Sequence, residues 1–400
     1  MIPFSPPRIL PEMWEELKDT LESGWITTGP KTKQFEKELA AYCSAGPVLA
    51  VNSATAGMEM MLRWYGVGTG DEVIIPAYTY CATANVVMHV GATPVMVDTR
   101  EDDFNIDVEK IKAAITPRTK VIVPVDIAGM ASDYEAIMHL AKDYDGFTPS
   151  TPEQEQHGRI LVLTDAAHSF GGLYKGKRIG SQTDAAVFSF HAVKNLTTAE
   201  GGAIVLNLPE GFDTEAIYKQ LNTKSLHGQT KDALAKTKLG GWQYDVVEPG
   251  YKCNMTDLQA CLGLVGLKHY QENLDRRRRI FELYDAGLAN NQHIRRPMWE
   301  DADRTTSFHL YMIRLPNASE EQRNKVIELI AADKVSVNVH FIPLPLLTAY
   351  KQFGYAMSDF PQAYANYKGE ITLPVFFDLS YEQVETVIRS VNRAVQTVMG

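Results

Sequence analysis

Cysteine is scarce in this chain, long apolar runs are missing and positive charge is in deficit, and each shortage removes a class of protein. Four cysteines (Cys43, Cys81, Cys253 and Cys261) occur in 400 residues and none forms a CxxC pair, which argues against a disulfide framework and against a zinc site. They read as core or site-wall thiols. No apolar stretch approaches the ~20 residues needed to cross a bilayer, so no membrane partner is expected. The opening MIPFSPPRILPEMWEELKD has no basic start followed by an apolar run, so it does not read as a secretory leader, and a cytoplasmic location is the expectation. Lys and Arg number 39 against 49 Asp and Glu, a net charge of -10. That argues against a nucleic-acid partner, which asks for a basic face, and leaves room for a local basic pocket around a phosphorylated ligand.

What is present is a chain long enough for a large domain and a smaller one. Apolar runs at residues 71–77 (DEVIIPA), 93–98 (TPVMVD), 120–126 (KVIVPVD), 160–167 (ILVLTDAA), 185–190 (AAVFSF) and 202–206 (GAIVL) read as buried strands. Between them ATANVVMHVG, DVEKIKAAI and DYEAIMHLAKDY have helical period. Such alternation predicts an α/β fold with a mostly parallel sheet covered on both faces. The polar stretch 227–245 reads as a loop, mobile or in contact with a partner. Residues 145–158, DGFTPSTPEQEQHG, read as an exposed insertion. Residues 257–290 predict a long helix or a broken pair, with the basic cluster Arg276 to Arg279 on a solvated or dimer-facing side. From about residue 300, SFHLYMIRL, RNKVIELIAADK, the strand VSVNVHF and the helix YEQVETVIRSVNRAV predict a compact α+β module.

The chemistry gathers where strands end. Asp165 closes the run ILVLTD, and AAVFSF delivers His191 and Lys194 to the same sheet edge if the two strands are neighbours; open α/β sheets bind ligands at that edge. A lysine alone is most often a solvated side chain. A lysine able to form an imine, opposite a carboxylate that keeps a ring nitrogen protonated, is the pair that pyridoxal phosphate requires. VNSATAGMEMM adds a strand end followed by Ser53 and Thr55 at a helix start, where free N–H groups and the helix dipole can cradle a phosphate, although Ser or Thr there is commonly only an N-cap. Ser189 could add a hydroxyl, and Tyr80, in PAYTYCAT, either stacks on the pyridine face or packs in the core.

SGWITTGP (23–30), NSATAGM, GDEVIIPAYTY, DAAHSFG, SFHAVKN followed by EGG, and GYKCNMTDLQA (250–260) occur in that order. In this the chain resembles the sugar aminotransferases of the DegT/DnrJ/EryC1/StrS family from about residue 20 onward. It is most similar to those that aminate C4 of a UDP-linked 4-keto sugar, of the 4-amino-4-deoxy-L-arabinose type. The resemblance implies a fold type I pyridoxal-phosphate transferase with a large domain over 1–250, a smaller one over 251–400 and an N-terminal arm of about 30 residues. It implies a homodimer whose sites are shared between subunits. The amino group would pass from L-glutamate, leaving 2-oxoglutarate, to a nucleotide-linked keto sugar, with pyridoxamine phosphate in the cycle.

By the same resemblance Lys194 carries the cofactor, Asp165 pairs with its ring nitrogen and His168 lies near its 3-hydroxyl. Thr55, Ala56 and Ser189 bind the phosphate, Tyr80 stacks on the ring, and Asn254 reaches the phosphate of the other subunit. Thr28 and His340 fall to the substrate. Relatives that act as deoxysugar dehydratases replace the lysine with histidine, so Lys194 favours transamination; a 3-keto-sugar acceptor stays open. Asp126 stands where many members have histidine, and Pro345 ends HFIPLP where a second histidine is expected, which places the identity of the sugar in question.

Overall fold

The structure is a computed structural model, and it describes residues 1–230 and 243–400. Nine strands come first: β1 (Val48–Val51), β2 (Glu72–Pro76), β3 (Thr93–Val97), β4 (Thr119–Ile122), β5 (Leu161–Asp165), β6 (Leu173–Tyr174), β7 (Lys177–Arg178), β8 (Ala185–Ser189) and β9 (Gly202–Leu206). β10 (Arg304–Thr305), β11 (Tyr311–Arg314) and β12 (Glu370–Leu373) follow. Seven of them form one sheet in the order β1-β9-β8-β5-β4-β2-β3. Every pair from β8 to β3 is parallel, while β9 runs antiparallel to both β8 and β1.

Both faces of this sheet are covered, and the strands show it residue by residue. Val48, Ala50, Ala186, Phe188, Ala203 and Val205 belong to one buried cluster, and their chain neighbours Leu49, Val51, Ala185, Val187, Ile204 and Leu206 to another. A period of two with apolar side chains on each side is why these segments read as unbroken hydrophobic runs. The first cluster continues through Phe35, Tyr270 and Tyr284 to Ile313 on β11, Ile371 on β12 and Val391 on the last helix, Tyr381–Met399. The antiparallel pair β11 and β12 thus shares a core with the large sheet. Among the described residues no helix is long and apolar enough to cross a membrane.

Several expectations need correction. VSVNVHF is not a strand: it touches neighbours through single bridges, Val335 to Ile2 and Asn338 to Thr372. Residues 145–158 are not merely an exposed insertion. They hold the helix Pro152–His157, with Gln154 fully buried and its Nε2 donating to the Tyr65 carbonyl at 2.9 Å. Residues 257–290 form a broken pair, Asp257–Lys268 and Tyr270–Leu288. Within the basic cluster Arg277 is buried and donates to the carbonyls of Phe308 and His309 at 3.2 and 3.3 Å, so it is a tie between segments rather than a solvated charge. The segment 227–245 falls largely on residues 231–242, outside the described residues.

Candidate active site

β5 and β8 are parallel neighbours, with Asp165 opposite Val187. Their carboxyl ends therefore open on the same edge, where β5 ends in Asp165 and β8 in Ser189. The turn after β8 is tied at its base by Thr198 N–H to the Phe190 carbonyl at 2.9 Å, and it carries Lys194, whose N–H bonds the His191 carbonyl at 2.9 Å. A cleft of about 390 Å³ lies at this edge. Thr55, Tyr80, Asp165, His168, Ser189, Lys194 and His340 all line it.

Asp165 is buried and held from two sides: Thr83 Oγ1 donates to Oδ2 at 2.8 Å and the Ala167 N–H to Oδ1 at 3.2 Å. Burial raises its pKa, and the Thr83 bond, the Ala167 N–H and the Lys194 charge pull it back. Loss of water around Lys194 brings its amine down to about 8, opposed by the attraction of Asp165. The two shifts have one origin, partial removal from water, which disfavours either charge alone. His168 is neutral, its pKa well below the usual value through burial and then Lys194, and its buried Nδ1 has no hydrogen-bond partner within the chain.

The helix start expected to cradle a phosphate is capped from within its own chain. Ser53 is the N-cap of the helix Ala54–Trp64, and its hydroxyl accepts the Ala56 N–H at 3.1 Å. That N–H is therefore engaged, and Ala56 does not line the cleft, whereas Ser53, Thr55 and Ser189 do. The glycine pair after the lysine has a steric reason. A Cβ on Gly202 would come within 2.5 Å of the Ala54 nitrogen, and one on Gly201 within 2.1 Å of Thr198 Oγ1. Only glycine lets β9 pass under the helix start. Tyr80 is not a core residue: it is 59% exposed and stands 5.7 Å from the Phe341 ring. Thr28 and Asn254 do not reach the cleft of their own chain; Asn254 Nδ2 donates to Thr28 Oγ1 at 2.5 Å.

The family model of the DegT/DnrJ/EryC1/StrS aminotransferases matches residues 7–392. The chain belongs to this family. It is 40% identical over 403 residues to the spore coat polysaccharide biosynthesis protein SpsC of Bacillus subtilis, covering 99% of this chain and 97% of that one. Spr1654 of Streptococcus pneumoniae, a proposed sugar aminotransferase solved in PMP form, superposes with a TM-score of 0.96 at 48% identity over the whole of both chains. PseC of Helicobacter pylori, an aminotransferase involved in the biosynthesis of pseudoaminic acid, does so with 0.87 at 28% identity over 99% of each. The architecture is fold type I of the pyridoxal-phosphate-dependent transferases, with a mixed, mostly parallel sheet.

Within this aminotransferase frame, several cleft residues were not legible. His309 lines the cleft, its ring centroid 4.5 Å from that of His168 and its Nδ1 2.9 Å from Asn195 Oδ1. Thr79 and Thr83 bond each other at 3.0 Å beneath Asp165. Thr83 had a signal, a hydroxyl one helical turn after Thr79 in PAYTYCAT. His309 had none, because its place depends on how β11 meets the sheet edge. Phe4 and Ser5 also wall the cleft from the N-terminal segment. Asp126, the departure from the family pattern, is fully buried and does not line the cleft. It accepts from Ser132 N–H at 2.9 Å, Ser169 Oγ at 2.6 Å and the Tyr134 hydroxyl, and burial pushes it up to about 6. Its work is to anchor the loop that follows His168.

Proposed function

We propose that this chain is a pyridoxal-phosphate-dependent aminotransferase that moves the amino group of L-glutamate to the keto carbon, at C4, of a nucleotide-linked sugar used in a surface polysaccharide or a related amino sugar. The observation that carries the reading is the meeting of Lys194 and Asp165 in one cleft at the carboxyl edge of parallel strands. The residues present fit the cofactor: an amine brought down to about 8, a buried carboxylate, an unpartnered His168 Nδ1 and a Ser-capped helix start cleared by two glycines. Lys194, Asp165, His168, Tyr80, Thr55 and Ser189 would hold it.

When bound, the cofactor supplies the carbonyl that exchanges amino groups and an electron sink for the carbon being deprotonated. The chain's own residues do the rest. Asp165 holds the proton on the ring nitrogen, and the Thr83 hydroxyl keeps Oδ2 aimed. Lys194 Nζ, uncharged near neutrality more often than an ordinary lysine, takes a proton from the substrate carbon and returns it on the other side of the exchange. Tyr80, which lines the cleft, would stack on the ring of the bound cofactor. Asn254 and Thr28, which do not reach their own cleft, complete the cleft of a second copy in a homodimer. Their pairing and the exposed Ile26, two residues before Thr28, support that reading.

The deciding experiment is a two-stage assay of the purified holoenzyme. One equivalent of 2-oxoglutarate per site should appear on adding L-glutamate, and a panel of 3-keto and 4-keto nucleotide sugars should then accept the amino group, the 4-keto sugars fastest. Lys194→Ala should abolish both stages. Normal turnover by that variant, or no product from any keto sugar, overturns the proposal.

A further inference from the structure

Behind His340 lies a row of hydrogen-bonded side chains that the chemistry above does not use. His340 Nδ1 is 2.9 Å from Thr372 Oγ1, and the Thr372 hydroxyl is bonded to Glu370 Oε1. Glu370 Oε2 in turn accepts the His340 backbone N–H at 2.8 Å. Glu370 and Thr372, both on β12, are fully buried. His340 stands at the front of the row and lines the cleft. Its ring is clasped, with Phe4 stacked at 5.6 Å and Phe341 edge-on at 5.0 Å, while its carbonyl takes the Tyr78 hydroxyl. Nδ1 is thus committed to Thr372. Nε2 is left on the side of Asn338, a cleft residue whose Nδ2 lies 3.5 Å away.

We propose that Glu370 and Thr372 are positioning residues that set, through one proton on Glu370, whether His340 meets the sugar as a hydrogen-bond acceptor or as a donor. The proposal rests on the reading of the cleft as a sugar site. A hydroxyl has one proton, so the row can point only one way at a time. With Glu370 ionised, the Thr372 O–H donates to Oε1, Thr372 Oγ1 accepts the proton of Nδ1, and Nε2 offers a lone pair to a sugar hydroxyl. When a proton enters at Nε2 from the cleft, Nδ1 passes its own to Thr372, Thr372 passes its own to Oε1, and Glu370 ends neutral. Nε2 gains the incoming proton, Nδ1 gives one up, Thr372 receives one and gives one, and Oε1 gains one; the ring stays uncharged, and Nε2–H has become a donor.

The surroundings place the change within reach. Burial pushes Glu370 up to about 8, against the pull of Thr372, the His340 N–H and Arg323. The charged and titratable groups facing it are Arg323, whose Nη1 sits 3.2 Å from the Glu370 carbonyl, Tyr78, and Arg314, its cross-strand partner on β11. His340 is held down to about 4 by burial and then by Lys194, so it exchanges tautomers without becoming a cation.

The test is a long-range nitrogen–proton NMR titration of ¹⁵N-labelled holoenzyme, with the His340 signals identified by their loss in His340→Gln. In the wild type the protonated nitrogen should be Nε2 at about pH 7 and Nδ1 at about pH 9.5, exchanging near the Glu370 value. Thr372→Val should erase the exchange and Thr372→Ser restore it. The KM for the keto sugar should change several-fold across the same interval in the wild type and in Thr372→Ser, and the part of that change due to the row should vanish in Thr372→Val. The same nitrogen protonated at both pH values in the wild type, or an exchange that survives Thr372→Val, overturns the proposal. Failure to aminate any keto sugar would sink the proposed function and leave the tautomer result standing, so the two can fail separately.

Discussion

The value of about 8 for Lys194 turns a structural observation into a rate. Only the uncharged amine attacks an aldehyde, so covalent capture of pyridoxal phosphate by the apoprotein, trapped with borohydride, should rise about tenfold per pH unit up to about pH 8 and then level. An exposed lysine would keep rising past about pH 10; that profile would show that the cleft does not tune the amine. Asp165 depends on its neighbour in the same way. Thr83→Val removes the 2.8 Å bond to Oδ2, and a hydrogen bond to a charged acceptor is worth about 1.5–3 kcal/mol. That predicts a fall in kcat of roughly ten- to a hundredfold, with Thr83→Ser near wild type. An unchanged kcat in Thr83→Val would mean that Thr83 only packs.

At the scale of elements, the start of the helix Pro30–Cys43 shows why GYKCNMTDLQA and SGWITTGP occur together. Asp257, buried in the first turn of the helix Asp257–Lys268, accepts from Gly29 N–H at 2.8 Å, Lys31 N–H at 3.1 Å, Thr32 N–H at 2.9 Å and Thr32 Oγ1 at 2.6 Å. It caps a helix far away in sequence, and a Cβ on Gly29 would come within 2.7 Å of its Oδ2. Asp257→Ala strands three N–H groups of that helix start, so a loss of about 2–4 kcal/mol is expected in urea unfolding, with a smaller loss in Asp257→Asn. Equal stability of wild type and Asp257→Ala would show the cap to be idle. This cap also marks the limit of what the chain discloses as text. β5 and β8 were legible because both of their faces are buried and their ends carry Asp165 and the Lys194 turn. VSVNVHF alternates like a strand, but sequence does not say which run finds an edge to pair with, and here Ile2 and Thr372 take only single bridges. Gln154 and Arg277 looked solvated because composition counts polar atoms and cannot count the buried carbonyls waiting for them.

For the whole molecule the open point is where Thr28 and Asn254 act. Each is buried, they bond each other, and neither lines the cleft of its own chain, whereas the other proposed site residues, apart from Ala56, do. Trp14 and Leu21, seven residues apart and so on one face of the helix Pro11–Ser23, are 67% and 54% exposed, and exposed apolar side chains grouped on one helix face suit a contact surface. If two copies close over each other with two-fold symmetry, a site takes Lys194 from one copy and Asn254 from the other. Lys194→Ala and Asn254→Asp, each strongly impaired alone, should then complement. After mixing and subunit exchange about half of the dimers are mixed, and each mixed dimer has one site free of both changes, so activity should recover to about a quarter of wild type. Recovery should follow the exchange of subunits on sedimentation or native mass analysis. No recovery in a mixture shown to contain mixed dimers would show that Asn254 completes the cleft of neither copy. It would also leave Thr28 and Asn254 as a structural pair bracing the turn between the first two helices.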